Sequence, residues 1–196
     1  MSVSHAATRP ILGPMLILLP PSEKKAAEAG PAISVYTGIL YQGLDWSSLT
    51  QSAQKRGQQS IAIISAKYGL VHPLDEIKPY KEKIDSKKMR TPITLALNAI
   101  ETELIIDCRS STYKAVWTPP PEKSVEIKVF IQSDGVKKVI THMSKKTRGE
   151  VTRLLLLCDT SPTNPHELLT IVSRAFECQL IENFEGNPWV LEVIAQ

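Results

Sequence analysis

A chain of 196 residues is long enough to bury one sizeable hydrophobic core and too short for two full domains. Its 42% hydrophobic and 22% charged residues are typical of a globular protein, and no apolar run is long enough for us to expect a membrane-spanning segment. The net charge of +3 is compatible with nucleic-acid binding without requiring it.

The beginning of the chain predicts an extension followed by a folded domain. Residues 1–14 lack the long apolar core and the cleavage site of a secretory signal, so we expect a disordered N-terminal extension. We expect residues 15–196 to form a single domain located in the cytoplasm. Residues 15–19 predict a buried first strand, because they are apolar and are stopped by two prolines. Residues 22–30 predict a short helix, since Ser22 is a favourable N-cap.

Three further elements follow. Residues 35–44 carry apolar side chains close to helical spacing, and residues 47–59 are polar enough for a surface helix. Residues 61–64 form a short branched apolar run that predicts a second buried strand, ending in Ser65.

An irregular, polar segment follows this second strand. Gly69 permits a sharp turn, and Pro73 and Pro79 each fix φ and remove a backbone donor. Loops at the carboxyl ends of buried strands are where α/β proteins hold ligands, so this segment is the first candidate for a functional site. The alternative is a rigid crossover whose tyrosines pack and whose lysines are solvated. The polar side chains of the segment are Ser65, Lys67, Tyr68, His72, Asp75, Lys78, Tyr80 and Lys81.

The same segment carries a long spaced pattern, S-x-x-Y-G-x-x-x-P-x-D-x-x-x-P-Y-K. Its fixed positions are Ser65, Tyr68, Gly69, Pro73, Asp75, Pro79, Tyr80 and Lys81. Three other blocks accompany it: M-L-I-L-x-x-P at residues 15–21, V-Y-T-G with Tyr36, Thr37 and Gly38, and K-K-x-R-G at residues 145–149. Together these blocks resemble the YaaA family of bacterial peroxide-stress proteins.

The resemblance implies a role in limiting peroxide damage, including oxidative damage to DNA, with DNA as the partner. It also matches Lys25 to a lysine that follows the first strand, and Ser110 and Tyr113 to a serine and a tyrosine of the family. One departure matters: family members usually carry several dozen further, helical residues where this chain passes almost directly from Lys25 to Val35, and in the best-known branch these residues include a helix-hairpin-helix element assigned to DNA contact. We therefore expect DNA binding to be weakened.

The second half of the chain predicts hairpins and helices around another buried strand. Residues 91–100 predict a helix with Pro92 in its first turn, and residues 104–107 predict a strand that ends beside Asp107 and Arg109. Residues 125–131 alternate as a half-buried strand, followed by a turn at Asp134 and Gly135.

The predicted elements continue to the end of the chain. Residues 136–143 are expected to return antiparallel, and a capping box predicts a helix beginning at Thr147. A further helix is expected after Pro165, and two strands over residues 179–184 and 189–194 flank a turn. The fold class is therefore mixed α/β: one domain with a central mixed sheet, a parallel portion and antiparallel hairpin edges, flanked by helices.

A basic cluster lies at the predicted start of the helix at Thr147. Lys145, Lys146 and Arg148 would stand where unpaired N–H groups and the helix dipole attract anions, with Arg153 on the same outward face. Gly149 costs about 1 kcal/mol relative to alanine inside a helix, which requires a reason such as the close approach of backbone or ligand. The alternative is a solvated basic face.

Two functional hypotheses follow. The first is a non-enzymatic stress protein that binds DNA through a basic cleft, with tyrosines stacking on bases. The alternative is an enzyme acting on a nucleotide or a damaged nucleobase in the same cleft, with Asp75 or Asp107 as general base and His142 as a proton carrier. The first is favoured because the chain has no recognised catalytic constellation. The candidate nucleic-acid or phosphate residues are Lys25, Ser65, Tyr68, Tyr80, Lys81, Arg109, Ser110, Tyr113, Lys145, Lys146, Arg148 and Arg153.

The sulfur and imidazole side chains predict no metal site and no cofactor. Cys108, Cys158 and Cys178 are widely separated, and the four histidines have no metal-ligand spacing. Cys108 is the one thiol with a neighbour, Arg109, expected to lower its pKa, so it is the candidate oxidant sensor.

Overall fold

A mostly parallel sheet runs through the middle of the molecule. The computed structural model describes residues 13–133 and 136–195, and eight strands within them form this sheet. They are β1 Met15–Leu19, β3 Ile61–Ser65, β4 Gly69–Val71, β6 Leu104–Asp107, β7 Ser124–Ser133, β8 Val136–Lys138, β9 Cys178–Ile181 and β10 Trp189–Ile194. Two short strands, β2 Gly30–Pro31 and β5 Glu76–Ile77, form a separate antiparallel pair.

The strand order is β4-β3-β1-β6-β7-β10-β9, with β8 paired to β7. The five inner strands, β3, β1, β6, β7 and β10, are parallel to one another. β4, β8 and β9 are each antiparallel to their partner. The predicted mixed α/β class, with a parallel portion and antiparallel edges in a single domain, is confirmed.

Helices cover both faces of the sheet. They are α1 Ala32–Val35, α2 Ile39–Leu44, α3 Gln51–Ser60, α4 Ser86–Asn98, α5 Ser111–Lys114, α6 Thr141–Leu157 and α7 Pro165–Val172. In the part of the chain that the structure describes, none of these helices is long and apolar enough to cross a membrane.

β1 shows why the apolar runs are continuous. Met15, Ile17 and Leu19 point into a large core that includes side chains of α2, α6 and α7, whereas Leu16 and Leu18 point into a smaller core on the opposite face with residues of α4. Because side chains alternate along a strand, a strand buried on both faces needs apolar residues at every position.

The parallel register brings three carboxyl ends to one edge of the sheet. Leu18 of β1 lies beside Ala62 of β3 and Asp107 of β6. The chain segments that leave β1, β3 and β6 therefore begin side by side, which is where ligands bind in open parallel sheets.

Two expectations fall partly or wholly outside the described residues. The expected disordered extension covers residues 1–14, of which 13 and 14 are described. The predicted Asp134-Gly135 turn lies between the described ends of β7 and β8, and those two strands pair antiparallel as expected.

The helix predicted over residues 22–30 is wrong. The segment is irregular, because its backbone pairs with the end of α1 and the residues after it: Ala26 N donates to Val35 O at 2.8 Å, Thr37 N donates to Lys24 O at 3.0 Å, and Lys25 forms a bridge with Tyr36. The helix predicted over residues 35–44 is divided into α1 and α2 by a break at residues 36–38.

Two predicted helix starts are also wrong. α6 begins at Thr141, six residues before the predicted capping box, and Ser144 Oγ ties its first turn to β7 by donating to Val129 O. His142 therefore lies in a helix rather than on a strand. α4 begins at Ser86, because the Asp85 carboxylate accepts hydrogen bonds from two backbone N–H groups, and Pro92 lies inside the helix.

The packing of α2 against α6 explains Gly149. A Cβ atom added at Gly149 would overlap the carbonyl oxygen of Leu40, and one added at Gly43 would overlap the carbonyl oxygen of Lys146. Each glycine thus faces the backbone of the other helix. The sequence predicted that Gly149 allows the close approach of either backbone or ligand, and the structure shows that the backbone of α2 lies against it.

Candidate functional site

Five side chains at the carboxyl ends of β1 and β3 form what we call the tyrosine–lysine cluster. Its members are Lys25, Tyr36, Ser65, Tyr68 and Tyr80. Lys25 lies in the segment after β1, and Tyr36 lies in the break after α1. Ser65 is the last residue of β3, Tyr68 lies in the turn before β4, and Tyr80 lies in the loop after β5. The predicted V-Y-T-G block and the predicted S-x-x-Y-G segment therefore meet in one place.

A chain of three hydroxyl groups lies at the centre of this cluster. The Tyr80 hydroxyl is 2.9 Å from the Tyr36 hydroxyl and 2.9 Å from Ser65 Oγ. Ser65 Oγ also accepts a hydrogen bond from the backbone N–H of Tyr68 at 3.1 Å. Burial raises the pKa of Tyr36 far above its usual value of 10, so this hydroxyl stays protonated and able to donate.

Lys25 lies against the aromatic part of the cluster. Its Nζ is 4.1 Å from the centre of the Tyr80 ring and 5.8 Å from that of Tyr36, within range of a cation–π interaction. Burial lowers the pKa of Lys25, while the carboxylates of Glu23 and Glu82 act in the opposite direction. The position combines a partly desolvated ammonium group with a tyrosine face.

Tyr68 is the ring of the cluster that solvent reaches. It is 37% exposed, compared with 7% for Tyr80 and 1% for Tyr36. Its hydroxyl exchanges hydrogen bonds of 3.2 Å with the backbone O and N of Lys78. Of the predicted stacking residues, Tyr80 is thus covered, Tyr68 is accessible, and Tyr113 is half-buried, with its pKa raised to about 12 by burial.

Other residues of the recognised motifs shape this site. Gly38 leaves room for the hydroxyl of Ser22, which an added Cβ would overlap. Gly69 has a φ of +76°, which glycine adopts without strain. Pro73 accepts a backbone hydrogen bond from Ile33 at 2.9 Å.

Sequence reasoning missed Tyr41, which is buried beside Tyr36 and donates to Pro20 O at 2.8 Å. Thr37 and Pro79 are half-buried next to the cluster.

Asp75 is occupied in holding its own loop. Its Oδ2 accepts a hydrogen bond of 2.7 Å from His72 N, and its carbonyl accepts one of 2.8 Å from Ala32 N, at the start of α1. The carboxylate therefore fixes its own loop, while the backbone carbonyl of the same residue positions α1 and hence Tyr36.

Asp107 and Arg109 form a buried bidentate ion pair. Asp107 Oδ1 accepts from Arg109 Nε at 2.9 Å and Oδ2 accepts from Nη2 at 2.8 Å, while Arg109 is 1% exposed. The guanidinium also donates to Tyr113 O and Trp117 O. Both charges are therefore used within the protein. Ser110 precedes α5 and is half-buried.

The four basic residues predicted on α6 do not stand at a helix start. Lys145 is the fifth residue of α6, beyond the first-turn N–H groups on which the anion-binding prediction depended. Arg148 Nε donates to Ile127 O at 3.2 Å, and Arg153 donates to Leu44 O and Asp45 O at the end of α2. Lys146 pairs with Glu150 at 3.3 Å. His142 is exposed in the first turn.

A run of exposed lysines begins instead at Lys78, whose backbone is hydrogen-bonded to the Tyr68 hydroxyl. Residues 78–88, here called the lysine segment, contain five exposed lysines within eleven residues, and Lys81 alone among them was a predicted site residue. The signal available in the sequence was this local density of lysines. The five are Lys78, Lys81, Lys83, Lys87 and Lys88.

The thiol prediction for Cys108 is wrong. Cys108 is fully buried, and burial raises the pKa of its thiol to about 12, outweighing the opposing effect of Arg148. A buried thiol of this kind is a poor nucleophile towards peroxide. Over residues 13–133 and 136–195, no group of three or more His, Cys, Asp or Glu side chains is placed to hold a metal ion.

Comparison with known proteins identifies the family. Residues 21–179 match the sequence model of a family described as Peroxide stress protein YaaA. The chain belongs to the YaaA family. The matched region contains the whole tyrosine–lysine cluster and the lysine segment.

Individual relatives of this YaaA family member are longer than the matched region. A UPF0246 protein of Streptomyces coelicolor is 31% identical over 186 residues, covering 88% of this chain and 72% of the relative. A UPF0246 protein of Corynebacterium glutamicum is 31% identical over 158 residues, covering 74% and 62%. One of Corynebacterium efficiens is 32% identical over 183 residues, covering 87% and 71%. More than a quarter of each relative lies outside the aligned length.

Proposed function

We propose that this YaaA family member acts in the response to peroxide stress by binding nucleic acid, with Tyr68 stacking on an unpaired base and the lysine segment contacting phosphates. The observation that carries the proposal is the pair of hydrogen bonds between the Tyr68 hydroxyl and the backbone of Lys78. They tie the exposed ring to the first residue of the lysine segment. A ring beside a basic track is the arrangement that binds single strands without sequence preference.

The charges of this surface favour a polyanion. The lysine segment contributes five exposed ammonium groups against two carboxylates, those of Glu82 and Asp85. Glu82 pairs with Lys67 at 3.1 Å, and Asp85 caps the start of α4. Each lysine that neutralises a phosphate releases a counterion, so the affinity should fall steeply with salt.

A single strand suits the surface better than a duplex does. Base stacking on an aromatic ring is worth roughly 1–3 kcal/mol and requires an unpaired base. Tyr68 is the one accessible ring of the tyrosine–lysine cluster, and it lies on the short turn before β4. A single ring of this kind can stack on one unpaired base, but it does not fit the groove of a duplex. Gaps expose unpaired bases and nicks let the flanking base pairs fray, and oxidative damage produces both.

An enzyme acting on a nucleotide or damaged nucleobase is the second candidate. The observation in its favour is Lys25, an ammonium group of lowered pKa that lies beside the hydroxyl chain of Tyr36, Tyr80 and Ser65. Such a lysine is more readily deprotonated than a solvated one and is suited to proton transfer. Asp75 and Asp107, the predicted bases, are both engaged in structural bonds.

Fluorescence anisotropy with labelled single-stranded, nicked and duplex DNA at two salt concentrations tests the proposal. We expect the parent to bind single-stranded and nicked DNA more tightly than duplex. Changing Lys81, Lys83, Lys87 and Lys88 to Ala should weaken binding and reduce the salt slope by roughly 0.7 for each phosphate that is no longer neutralised. Tyr68→Ala should weaken binding with the slope unchanged.

The matched control changes Lys145 and Lys146 to Ala, which removes exposed lysines from α6. This variant should bind as the parent does. The proposal fails if the parent binds no form of DNA at low salt, or if the α6 variant loses affinity while the lysine-segment variant retains it. Turnover of a nucleotide that is abolished in Lys25→Met but retained in Tyr68→Ala would favour the enzyme.

A further inference from the structure

A small cavity lies beside Arg109 and shares no lining residue with the tyrosine–lysine cluster. Its volume is about 120 Å³, and it lies between the end of β6 with the segment that follows, the start of β7 and the turn before β10. We call it the tryptophan cavity. Its lining includes Asp107, Arg109, Lys114, Trp117, Ser124 and Glu126.

Ser124 supplies an unused polar group to this cavity. Its side chain is fully buried, and Ser124 Oγ has no hydrogen-bond partner among the described residues. Leaving a buried hydroxyl unpaired is costly, so most buried polar groups in proteins are hydrogen-bonded. Because Ser124 also lines the cavity, rotation of its side chain would bring this unpartnered hydroxyl to a ligand there.

The charged residues of the cavity are paired with one another. The parallel register places Asp107 beside Glu126 on adjacent strands. Arg109 neutralises Asp107 at 2.8 Å, and Lys114 neutralises Glu126 at 2.5 Å. With two negative and two positive charges, the cavity has no net charge with which to select an anion or a cation.

The remaining walls are apolar. Trp117 is 7% exposed, and its indole N–H already donates to Asn98 Oδ1 at 2.9 Å, so the polar edge of the ring is satisfied outside the cavity. Three prolines, Pro119, Pro121 and Pro188, complete the lining. Apolar rings with a few fixed polar groups are the usual lining of small-molecule sites.

We propose that the tryptophan cavity binds a neutral, single-ring heterocycle of the size and polarity of a free pyrimidine base. The ring would pack against Trp117 and the prolines, and the Ser124 hydroxyl would donate to a ring carbonyl. The volume of about 120 Å³ is a little below that of an apolar cavity of about 150 Å³ in another protein, which holds benzene. The cavity therefore has room for one ring and not for two. Nucleotides are disfavoured, since every cation lining the cavity is paired with a carboxylate.

This inference is independent of the proposed nucleic-acid surface. None of the residues of the tryptophan cavity belongs to the lysine segment, and Tyr68 does not line it. A negative result with DNA therefore leaves the cavity untouched, and a negative result with free bases leaves the nucleic-acid proposal untouched.

Saturation-transfer NMR titrations of the full chain with uracil, cytosine and inorganic phosphate test the inference. Ser124→Ala removes the donor from the cavity, and Thr118→Trp fills its exposed mouth without changing a core residue. Ser144→Ala is the matched control, because it removes a buried hydroxyl of α6 that donates to Val129 O and Ile140 O and does not line the cavity.

We expect at least one of the two bases to bind the parent and the Ser144→Ala variant equally. Ser124→Ala should weaken that binding about tenfold, and Thr118→Trp should abolish it. The inference is overturned if neither base binds at millimolar concentration, if both cavity variants bind as the parent does, or if phosphate displaces the base. Circular dichroism of Ser124→Ala, which removes an unpaired buried hydroxyl, should show a fold at least as stable as the parent.

Discussion

The ammonium nitrogen of Lys25 lies 4.1 Å from the centre of the Tyr80 ring. Burial at this position lowers the pKa of Lys25 below its usual value of 10.5. Between the lowered folded pKa and 10.5 the unfolded chain binds more protons than the folded one, so the contribution of Lys25 to the free energy of unfolding rises with pH in this window. Dimethylation with ¹³C-labelled formaldehyde and NMR titration should show the Lys25 signal titrating at lower pH in the folded protein than in the denatured protein.

Two variants assign and test that signal. Lys25→Arg should remove it from the spectrum. Glu23→Gln should lower the pKa of Lys25 further, because the Glu23 carboxylate raises it in the parent. A Lys25 signal that titrates at the same or a higher pH in the folded protein than in the denatured protein would contradict the desolvation.

Gly149→Ala tests the packing of α2 against α6. Alanine is the better helix former by about 1 kcal/mol, yet its Cβ would overlap the carbonyl oxygen of Leu40. Since the obstacle is backbone, we expect overpacking to outweigh propensity, with a net loss of about 1–3 kcal/mol in the free energy of unfolding. Urea denaturation measures this loss.

The control for this prediction is Gly30→Ala in β2. An added Cβ there meets no atom within 4 Å, and the φ of Gly30 is not positive. This variant should unfold at the same urea concentration as the parent to within about 0.5 kcal/mol. Equal stability of Gly149→Ala and the parent would refute the close backbone approach.

The buried pair of Asp107 and Arg109 predicts a strongly non-additive double mutant. Asp107→Asn or Arg109→Met alone leaves one charge buried without its partner, at a cost of about 3–5 kcal/mol. The double variant should lose less than the sum of the two single losses, because neither charge remains. Additive losses in urea denaturation would mean that the two side chains do not act as a pair.

Cys108 should be inert in the folded protein. Its thiol is fully buried with a pKa of about 12, whereas Cys158 and Cys178 are partly exposed. Treatment with iodoacetamide at pH 8 followed by peptide mass spectrometry should label Cys158 before Cys108, with Cys108 modified only in denaturant. Labelling of Cys108 in the native protein at the rate of Cys158 would restore its candidacy as an oxidant sensor.

The strands were the most predictable part of the fold. β1, β6 and β10 have the predicted bounds, and β3 extends one residue further, because short branched apolar runs between turn signals leave few alternatives. Helix starts were less predictable. Thr147 satisfies a capping box in sequence, yet it is 2% exposed inside α6, since the turn before it packs on β7.

The candidate site was predictable in its members more than in its arrangement. The spaced motif located Ser65, Tyr68 and Tyr80 in one segment, and their proximity to Tyr36 required the fold. Arg148 and Arg153 were candidates for phosphate binding because local sequence shows charge. It does not show the carbonyl groups, 21 and more than 100 residues away along the chain, to which these arginines donate.

The sequence by itself determined the family, the mixed α/β class and the position of most strands, because motif spacing and apolar periodicity are local properties of the chain. Tertiary structure alone decided which charges remain available. Arg109 is a buried ion-pair partner, and Arg153 caps the end of α2, whereas the lysines of the lysine segment are exposed. Tertiary structure also decided the role of Gly149, which allows α2 and α6 to pack closely. The physical reason is that burial and pairing depend on distant parts of the chain, which only the folded arrangement of the sheet and helices brings together.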